Sequence, residues 1–463
     1  QVPLSLLHLA SPLQRRGYDV RILDMRIEDY RNYRIGNPLF IGISSMTGLQ
    51  IQFGLDFAKK IRAENSDVPI VWGGVHPTLL PEQTIADSNV DIVVRGEGDL
   101  VVGELADALY ARKSLDSVRG ITYKENGVVK NNPDAELVDL DAVPVELPFD
   151  LLRLDKYPAL RSGRIHIQTS RGCPHRCGFC YNILHNRRFW RGKSPKRVLE
   201  EIEFLIKKFP QTKIIDPIDD NFFVDKTRVE EICEGMLIRK FKIQWRANCR
   251  FDYLSTYDAD FLRLLEKSGC VELDFGGETG SEHLQRFIQK DINQTQIIRS
   301  IENLRKWAPS IEPYASWMSG LPNENEEDLR ATFDLMDKMC ELNPKMQHFG
   351  IFVYTPFPSP IINKLPSEFR PPTTLEDWGK IDVFQFLPPW HSKKQVQKLR
   401  AISAVARYAF YPKARLNERG LAFRLAYGAV SRFANYRWRH RYFGFSIDLK
   451  IVNWIARKTR GYL

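Results

Sequence analysis

Three of the chain's seven cysteines fall within eight residues, in the run Thr169-Ser170-Arg171-Gly172-Cys173-Pro174-His175-Arg176-Cys177-Gly178-Phe179-Cys180-Tyr181-Asn182. Thiolates separated by three and then two residues, on a loop with Gly and Pro, can wrap one face of an iron–sulfur cube, each taking one iron. Three ligands leave the fourth iron open. A cluster saturated by four cysteines passes electrons, whereas an open iron also chelates a substrate or cofactor. Structural zinc is the competing use of such a loop; it needs a fourth ligand, and only His175 lies nearby, inside the loop itself. Cys233, Cys249, Cys270 and Cys340 stand singly in apolar or helical segments and read as buried core thiols.

Such a loop needs a strand to hang from, and residues 165–169 immediately before it are strand-like. Five further strand candidates, at 214–217, 243–246, 271–275, 314–318 and 349–354, alternate with helical periodicity, the pattern of a partial parallel (β/α)6 barrel of the TIM type. Upstream, apolar runs at 20–23, 39–43, 68–72 and 91–94 alternate with amphipathic stretches such as 53–63, which predicts an α/β domain with a parallel, Rossmann-like (flavodoxin-like) sheet. Gly-rich or polar turns follow three of these runs: Gly42 to Thr47, Gly73 to Pro77 and Gly96 to Gly98. In open α/β sheets ligands lie beyond the carboxyl ends of the strands, so these turns should converge on one site. The helix expected over residues 4–15 has no strand before it, so the sheet is expected to lack its first strand. Acids and three spaced prolines mark a linker from residue 125. The expected division is 1–124, a linker 125–158, the barrel 159–370, and a mostly helical, basic and aromatic C-terminal subdomain 371–463.

Length and composition agree with several domains: 463 residues at 43% apolar suit about three. Formal net charge is +10, but residues 407–463 alone hold 13 basic and 2 acidic side chains, so the basic character belongs to the tail. The longest uncharged stretch, 35–55, carries four Gly and many polar residues and does not suit a membrane-spanning helix. With no secretory leader and no dense cysteine framework, a cytoplasmic protein with reduced thiols is expected.

Cys173, Cys177 and Cys180, with aromatic Phe179, resemble the signature of radical S-adenosylmethionine enzymes. The resemblance covers residues 160–360 and includes Phe189 to Pro195, Asp219-Asp220-Asn221-Phe222, Trp245 to Arg250, Gly276-Gly277-Glu278-Thr279-Gly280-Ser281 and Gly320-Leu321-Pro322-Asn323-Glu324. It implies a [4Fe–4S] cluster on the three cysteines that reductively cleaves S-adenosylmethionine to a 5′-deoxyadenosyl radical. It also implies S-adenosylmethionine contacts at Phe179, Arg250, Gly276, Gly277 and Glu278; a guanidinium suits the methionine carboxylate and a carboxylate the ammonium or ribose. With this barrel, Gly73-Gly74-Val75-His76-Pro77-Thr78 and Arg95-Gly96-Glu97-Gly98-Asp99 resemble the cobalamin-binding module fused to one class of these enzymes. Cobalamin contacts are then implied at Ser44, Thr47, Gly73, Gly74, His76, Gly96 and Glu97. The Asp-x-His-x-x-Gly motif that supplies a lower cobalt ligand elsewhere is missing, so the resemblance implies a cobalamin whose lower face no protein histidine holds.

Methylation of an unactivated carbon is the reaction expected first. A radical oxidative cyclisation, as in the magnesium-protoporphyrin monomethyl ester cyclase group, is the second, and a non-catalytic cobalamin sensor the alternative of another class. A methylthiotransferase needs a second cluster upstream, and the first cysteine of the chain is Cys173. The expected partners are a small-molecule, lipid or porphyrin-like substrate and a flavodoxin- or ferredoxin-type reductant. Tail residues Tyr408, Tyr411, Tyr427, Tyr436, Trp438, Tyr442, Phe443 and Trp454, interleaved with Arg and Lys, suit peripheral contact with the inner membrane surface. Packing of the same aromatics in a helical subdomain is the alternative, and nucleic acid is the least favoured partner.

Overall fold

The structure, a computed structural model, describes residues 1–383, 385–410 and 421–444. The chain divides into two compact units, one of Gln1–Trp245 with Pro356–Lys364 and Arg370–Gln385, the other of Arg246–Thr355 with Leu365–Phe369 and Phe386–Leu463.

The first unit opens on the helix Leu4–Arg15 and contains a five-stranded sheet, β1 (Ile41–Ser44), β2 (Ile70–Gly73), β3 (Ile92–Val94), β4 (Ile121–Glu125) and β5 (Val128–Asn131), in that order. The pairings β1·β2 and β2·β3 are parallel, while β3·β4 and β4·β5 are antiparallel. Ile70, Val71 and Trp72 are all buried, the unbroken apolar run expected of a strand covered on both faces. The helix Leu49–Glu64 buries Ile51, Leu55, Ala58 and Ile61, one stripe at helical spacing. Gly54 lets it close on Trp72, since a Cβ there would lie 2.7 Å from the indole.

Three expectations for this region are corrected. Residues 20–23 join no strand ladder among the described residues. The sheet does not stop at residue 124, because Asn126 and Gly127, with φ of 52° and 80°, form the turn of the β4–β5 hairpin. Residues 375–381, expected in the C-terminal subdomain, pack into the first core: Leu375, Trp378 and Ile381 join Ile51, Ile61 and Trp72, and Trp378 Nε1 donates to Gln83 Oε1 at 2.9 Å.

All six barrel strands predicted from the sequence are present. They are β6 (Arg164–Ile167), β9 (Ile214–Pro217), β10 (Gln244–Cys249), β11 (Cys270–Glu278), β12 (Glu312–Ser319) and β13 (Gln347–Val353), in the order β13-β12-β11-β10-β9-β6. The pairings β6·β9, β9·β10, β11·β12 and β12·β13 are parallel. A two-residue ladder, β7 (Ser170–Arg171) with β8 (Arg191–Gly192), stands apart from them. Crossover helices carry the stop and start signals their sequences announce: Ser194 caps Pro195–Lys208, whose first residue is Pro, and Asn325 closes a capping box on Glu326–Leu342.

In the second unit the helix Lys393–Ala409 packs on β13 and against Leu421–Arg439. Trp438 is buried 5.0 Å from Phe333 and 4.9 Å from Phe410, ring to ring, and its Nε1 donates to Asp337 Oδ1 at 2.8 Å. For Trp438 and Phe443 the packed alternative therefore holds, whereas Phe433, Tyr436 and Tyr442 are exposed. Tyr411 and Trp454 lie outside the described residues. Among those residues no helix is long and apolar enough to cross a membrane. Cys233, Cys249 and Cys270 are buried as expected; Cys340 is half-buried, its Sγ 3.5 Å from His348 Nε2.

Candidate active site

The cysteine loop leaves the carboxyl end of β6 and is pinched at its base by the β7·β8 ladder, which pairs Arg171 with Arg191. Its first residue, Gly172, has φ +87°, and a Cβ there would lie 1.9 Å from the Phe189 carbonyl oxygen, so only glycine fits. Gly172 N–H donates to Asp220 Oδ2 at 3.0 Å, Cys180 N–H to the Cys177 carbonyl at 2.9 Å, and Asn221 Nδ2 to Cys173 Sγ at 3.6 Å. Asp219 is a brace: buried, it accepts from Thr169 N–H at 2.7 Å, Thr169 Oγ1 at 2.5 Å and Ser170 Oγ at 2.7 Å. Asp219, Asp220 and Asn221 thus shape the loop.

Burial pushes the Cys180 thiol up to about 12, and the nearby Cys177, Asp220 and Cys173 add to the rise. A partner that binds Cys180 as the thiolate must therefore bring positive charge, which an iron–sulfur core does. Among the described residues no three His, Cys, Asp or Glu side chains converge to cage a single metal ion. Phe179, half-buried, sits between Gly178, whose carbonyl accepts from Ile361 N–H at 2.9 Å, and Cys180.

In the same unit, the turns after β1, β2 and β3 bring together the residues singled out for cobalamin. Thr47 Oγ1 meets His76 Nδ1 at 2.9 Å, and His76 N–H donates to the Ser45 carbonyl at 3.2 Å. His76 is fully buried, 5.7 Å from the Trp378 ring, and burial draws its pKa down to about 4, so the ring is neutral. Gly74, at φ +93°, follows Gly73; a Cβ on it would lie 2.9 Å from the Ser45 carbonyl and 3.0 Å from Ser44 Oγ. Gly96 N–H donates to Thr78 Oγ1 at 2.9 Å. His76 Nε2 and Ser45 Oγ are buried without a hydrogen-bond partner, a costly state that the polar periphery of a corrin or its nucleotide tail would relieve. The residues present therefore fit the group. One carboxylate oxygen of Glu97 pairs with Arg191 and Arg171 and the other accepts Val138 N–H at 2.9 Å, so its side chain is engaged within the protein.

In the second unit, Gly276 and Gly277 lie where the β11·β12 register shifts. A Cβ on Gly277 would meet the Trp317 ring at 2.8 Å, and one on Gly276 would meet Glu278 Oε1 at 2.2 Å. Glu278, at φ +62°, accepts from Lys290 Nζ at 2.7 Å. Arg250 forks Asp252 at 2.9 and 3.1 Å and donates to the Lys290 carbonyl at 2.8 Å. Arg250 and Glu278 are thus linked through Lys290, which the sequence reading missed; no motif marks it, although positive φ at Gln289 and Asp291 shows how tightly the chain turns there.

The B12 binding domain family matches residues 1–106 and the radical SAM superfamily residues 167–336. The chain is similar to an uncharacterised methyltransferase of Pyrococcus horikoshii, 33% identical over 364 residues that cover 77% of this chain and 76% of that protein. It is also similar to the anaerobic magnesium-protoporphyrin IX monomethyl ester cyclase of Rubrivivax gelatinosus, 27% identical over 77% of this chain and 64% of the cyclase. Two solved structures share the fold: the radical S-adenosylmethionine methyltransferase TsrM of Kitasatospora setae, with cobalamin and a [4Fe–4S] cluster bound (TM-score 0.62, 17% identity, 78% of this chain and 71% of that one), and the cobalamin-dependent radical enzyme OxsB with aqua-cobalamin bound (TM-score 0.69, 19% identity, 99% and 73%).

The chain belongs to the cobalamin-dependent radical S-adenosylmethionine methyltransferase family. It is an enzyme whose cofactors are a [4Fe–4S] cluster, S-adenosylmethionine and cobalamin, and the cyclases are more distant relatives. Enzymes of this superfamily act on small molecules and need a reductant.

Proposed function

We propose that the enzyme methylates an unactivated carbon of an apolar small molecule, lipid-like or porphyrin-like, with electrons from a flavodoxin- or ferredoxin-type donor. The observation that carries the site assignment is the cysteine loop itself, hung from β6, with three thiols gathered beside Asp220 and Asn221. The bound cofactors supply reductive cleavage of S-adenosylmethionine to a carbon-centred radical, and a methyl group to transfer. Cys173, Cys177 and Cys180 hold the cluster, and Asn221 steadies the first sulfur. Phe179 on the cysteine loop, and in the second unit Arg250, Gly276, Gly277 and Glu278, are the candidate S-adenosylmethionine residues; in the second unit Lys290 pairs with the Glu278 carboxylate while Arg250 holds the Lys290 carbonyl. Ser44, Thr47, Gly73, Gly74 and His76 form the cobalamin cradle with the backbone of Gly96 and Glu97; neutral His76 orients Thr47. In the functional division the first domain extends through Asn131 and takes in residues 375–381. The protein works in the cytoplasm, and Phe433, Tyr436 and Tyr442 touch an anionic inner membrane surface.

Anaerobic reconstitution with iron, sulfide and cobalamin, then dithionite-driven turnover with mass-spectrometric product analysis, tests the reaction. Methylation yields 5′-deoxyadenosine together with S-adenosylhomocysteine, and Cys177→Ala abolishes both. 5′-Deoxyadenosine alone supports the cyclase-type reaction favoured by the second relative, and products unaffected by Cys177→Ala refute the cluster assignment.

A further inference from the structure

A compact group of buried charges stands between the cysteine loop and the turn after β3, both in the first unit. Arg171 directs its two terminal nitrogens to the two carboxylate oxygens of Asp99, at 2.9 Å each, and its Nε to Gln168 Oε1 at 2.9 Å. The same guanidinium lies 3.4 Å from Glu97 Oε1, which Arg191 also contacts. Arg171 and Asp99 are each 12% exposed and Glu97 8%. Burial alone would raise the Asp99 carboxyl, yet the Arg171 fork outweighs it and holds the group below the usual carboxylate range. Arg171 and Arg191 are partners in the β7·β8 ladder, so the two cations that close the base of the cysteine loop meet the two anions of the 97–99 segment.

We propose that Arg171 is a positioning residue that couples the two cofactor sites, so that filling the cysteine loop with its cluster tightens the binding of cobalamin. This rests on the site assignment above. A buried ion pair loses most when one partner leaves, because the other charge remains uncompensated. If the cysteine loop slackens, the two-residue ladder frays, Arg171 withdraws, and Asp99 and Glu97 remain as buried anions. The 97–99 segment therefore keeps its conformation only while the cysteine loop keeps its own. Gly96 and Glu97 open that segment and belong to the cobalamin cradle, so order in one loop is order in the other. Thermodynamic linkage makes the effect reciprocal. Lysine cannot substitute, since one ammonium cannot serve Asp99 as a fork and Gln168 at once.

The test uses the full chain under anaerobic conditions. Hydroxocobalamin affinity is measured by equilibrium dialysis, first without iron and sulfide and then after reconstitution, with cluster content followed by iron and sulfide analysis. The wild type should bind cobalamin on the order of tenfold more tightly in the cluster-loaded state. In Arg171→Lys and Asp99→Asn that ratio should fall towards one, at equal cluster content. A merely structural role would weaken both states alike and preserve the ratio; that result, or equal affinities in the two wild-type states, overturns the proposal. The wild-type ratio decides the matter even where a variant fails to fold. A wild type that takes up neither iron–sulfur nor cobalamin refutes the site assignment and the coupling with it, a result distinct from uptake without coupling.

Discussion

Glu324, in the Gly-Leu-Pro-Asn-Glu segment after β12, shows what single residues do to this protein. Its Oε2 accepts Gly320 N–H at 2.5 Å, its Oε1 is buried without a partner, and burial pushes the carboxyl up to about 8 from an ordinary 4.5. Burial raises Asp219 and Glu201 as well. The folded state holds the Glu324 proton more tightly than the unfolded chain, so its contribution to stability is full below pH 4.5 and declines as pH rises to 8. Burial draws His76 and His348 down to about 4, so their contributions are full above 6.5 and decline as pH falls through 4. Glu324 should therefore steepen the loss of stability on the alkaline side, up to about pH 8. Thermal denaturation of Glu324→Gln should show a shallower decline between pH 6.5 and 8 and a melting temperature raised by about 3–6 °C at pH 8.5; an unaltered slope would refute this. Residue by residue, legibility followed chemistry: cysteine spacing announced a ligand set because thiolates are rarely clustered for any other purpose. Arg250 and Glu278 were legible as charges at strand ends, but Lys290 was not, since a turn twelve residues beyond Glu278 brings it back. The ion pairs of Glu97 were not legible either, since its partners, Arg171 and Arg191, lie more than seventy residues away.

Among the elements, the six barrel strands were legible because each is a short apolar run between amphipathic helices. The β7·β8 ladder was not, because two residues carry no periodicity, and yet it closes the cysteine loop. The β4–β5 hairpin is masked in the sequence: Asn126-Gly127 is a strong turn signal, but the acids and prolines that follow give the region the composition of a linker. At the loop's origin, the backbone of Phe189 crosses so close to Gly172 that a methyl group displaces it, and left-handed φ adds about 1 kcal/mol or more of strain for alanine. Gly172→Ala should therefore retain less than about half of the wild-type iron after reconstitution, with an unchanged far-ultraviolet circular dichroism spectrum. Full iron content in the variant would show that the crossing does not matter.

For the molecule as a whole, the charge distribution was legible and its structural meaning only in part. The tail's mixture of cations and rings fits either packing or a lipid surface, and the structure divides it: Trp438 is buried among rings, while Phe433, Tyr436 and Tyr442 are 47%, 58% and 51% exposed. Replacing these three with serine should weaken co-sedimentation with phosphatidylglycerol-containing vesicles about tenfold or more, since aromatic side chains at headgroup depth supply much of such binding. Undiminished sedimentation would remove the membrane proposal.

The division of the chain into successive blocks was the least legible feature, because Leu375, Trp378 and Ile381 complete the core under the first sheet. That return has a consequence during synthesis. When the ribosome has finished Asn131, the first sheet has all its strands but a gap beside Trp72 and His76, and the residues that fill it are more than 240 codons away. At roughly 5–20 residues per second this is a wait of about 12–50 s. The nascent amino-terminal domain spends that interval with an open apolar face, and it becomes a closed domain only after the cysteine loop and the last barrel strand have been translated.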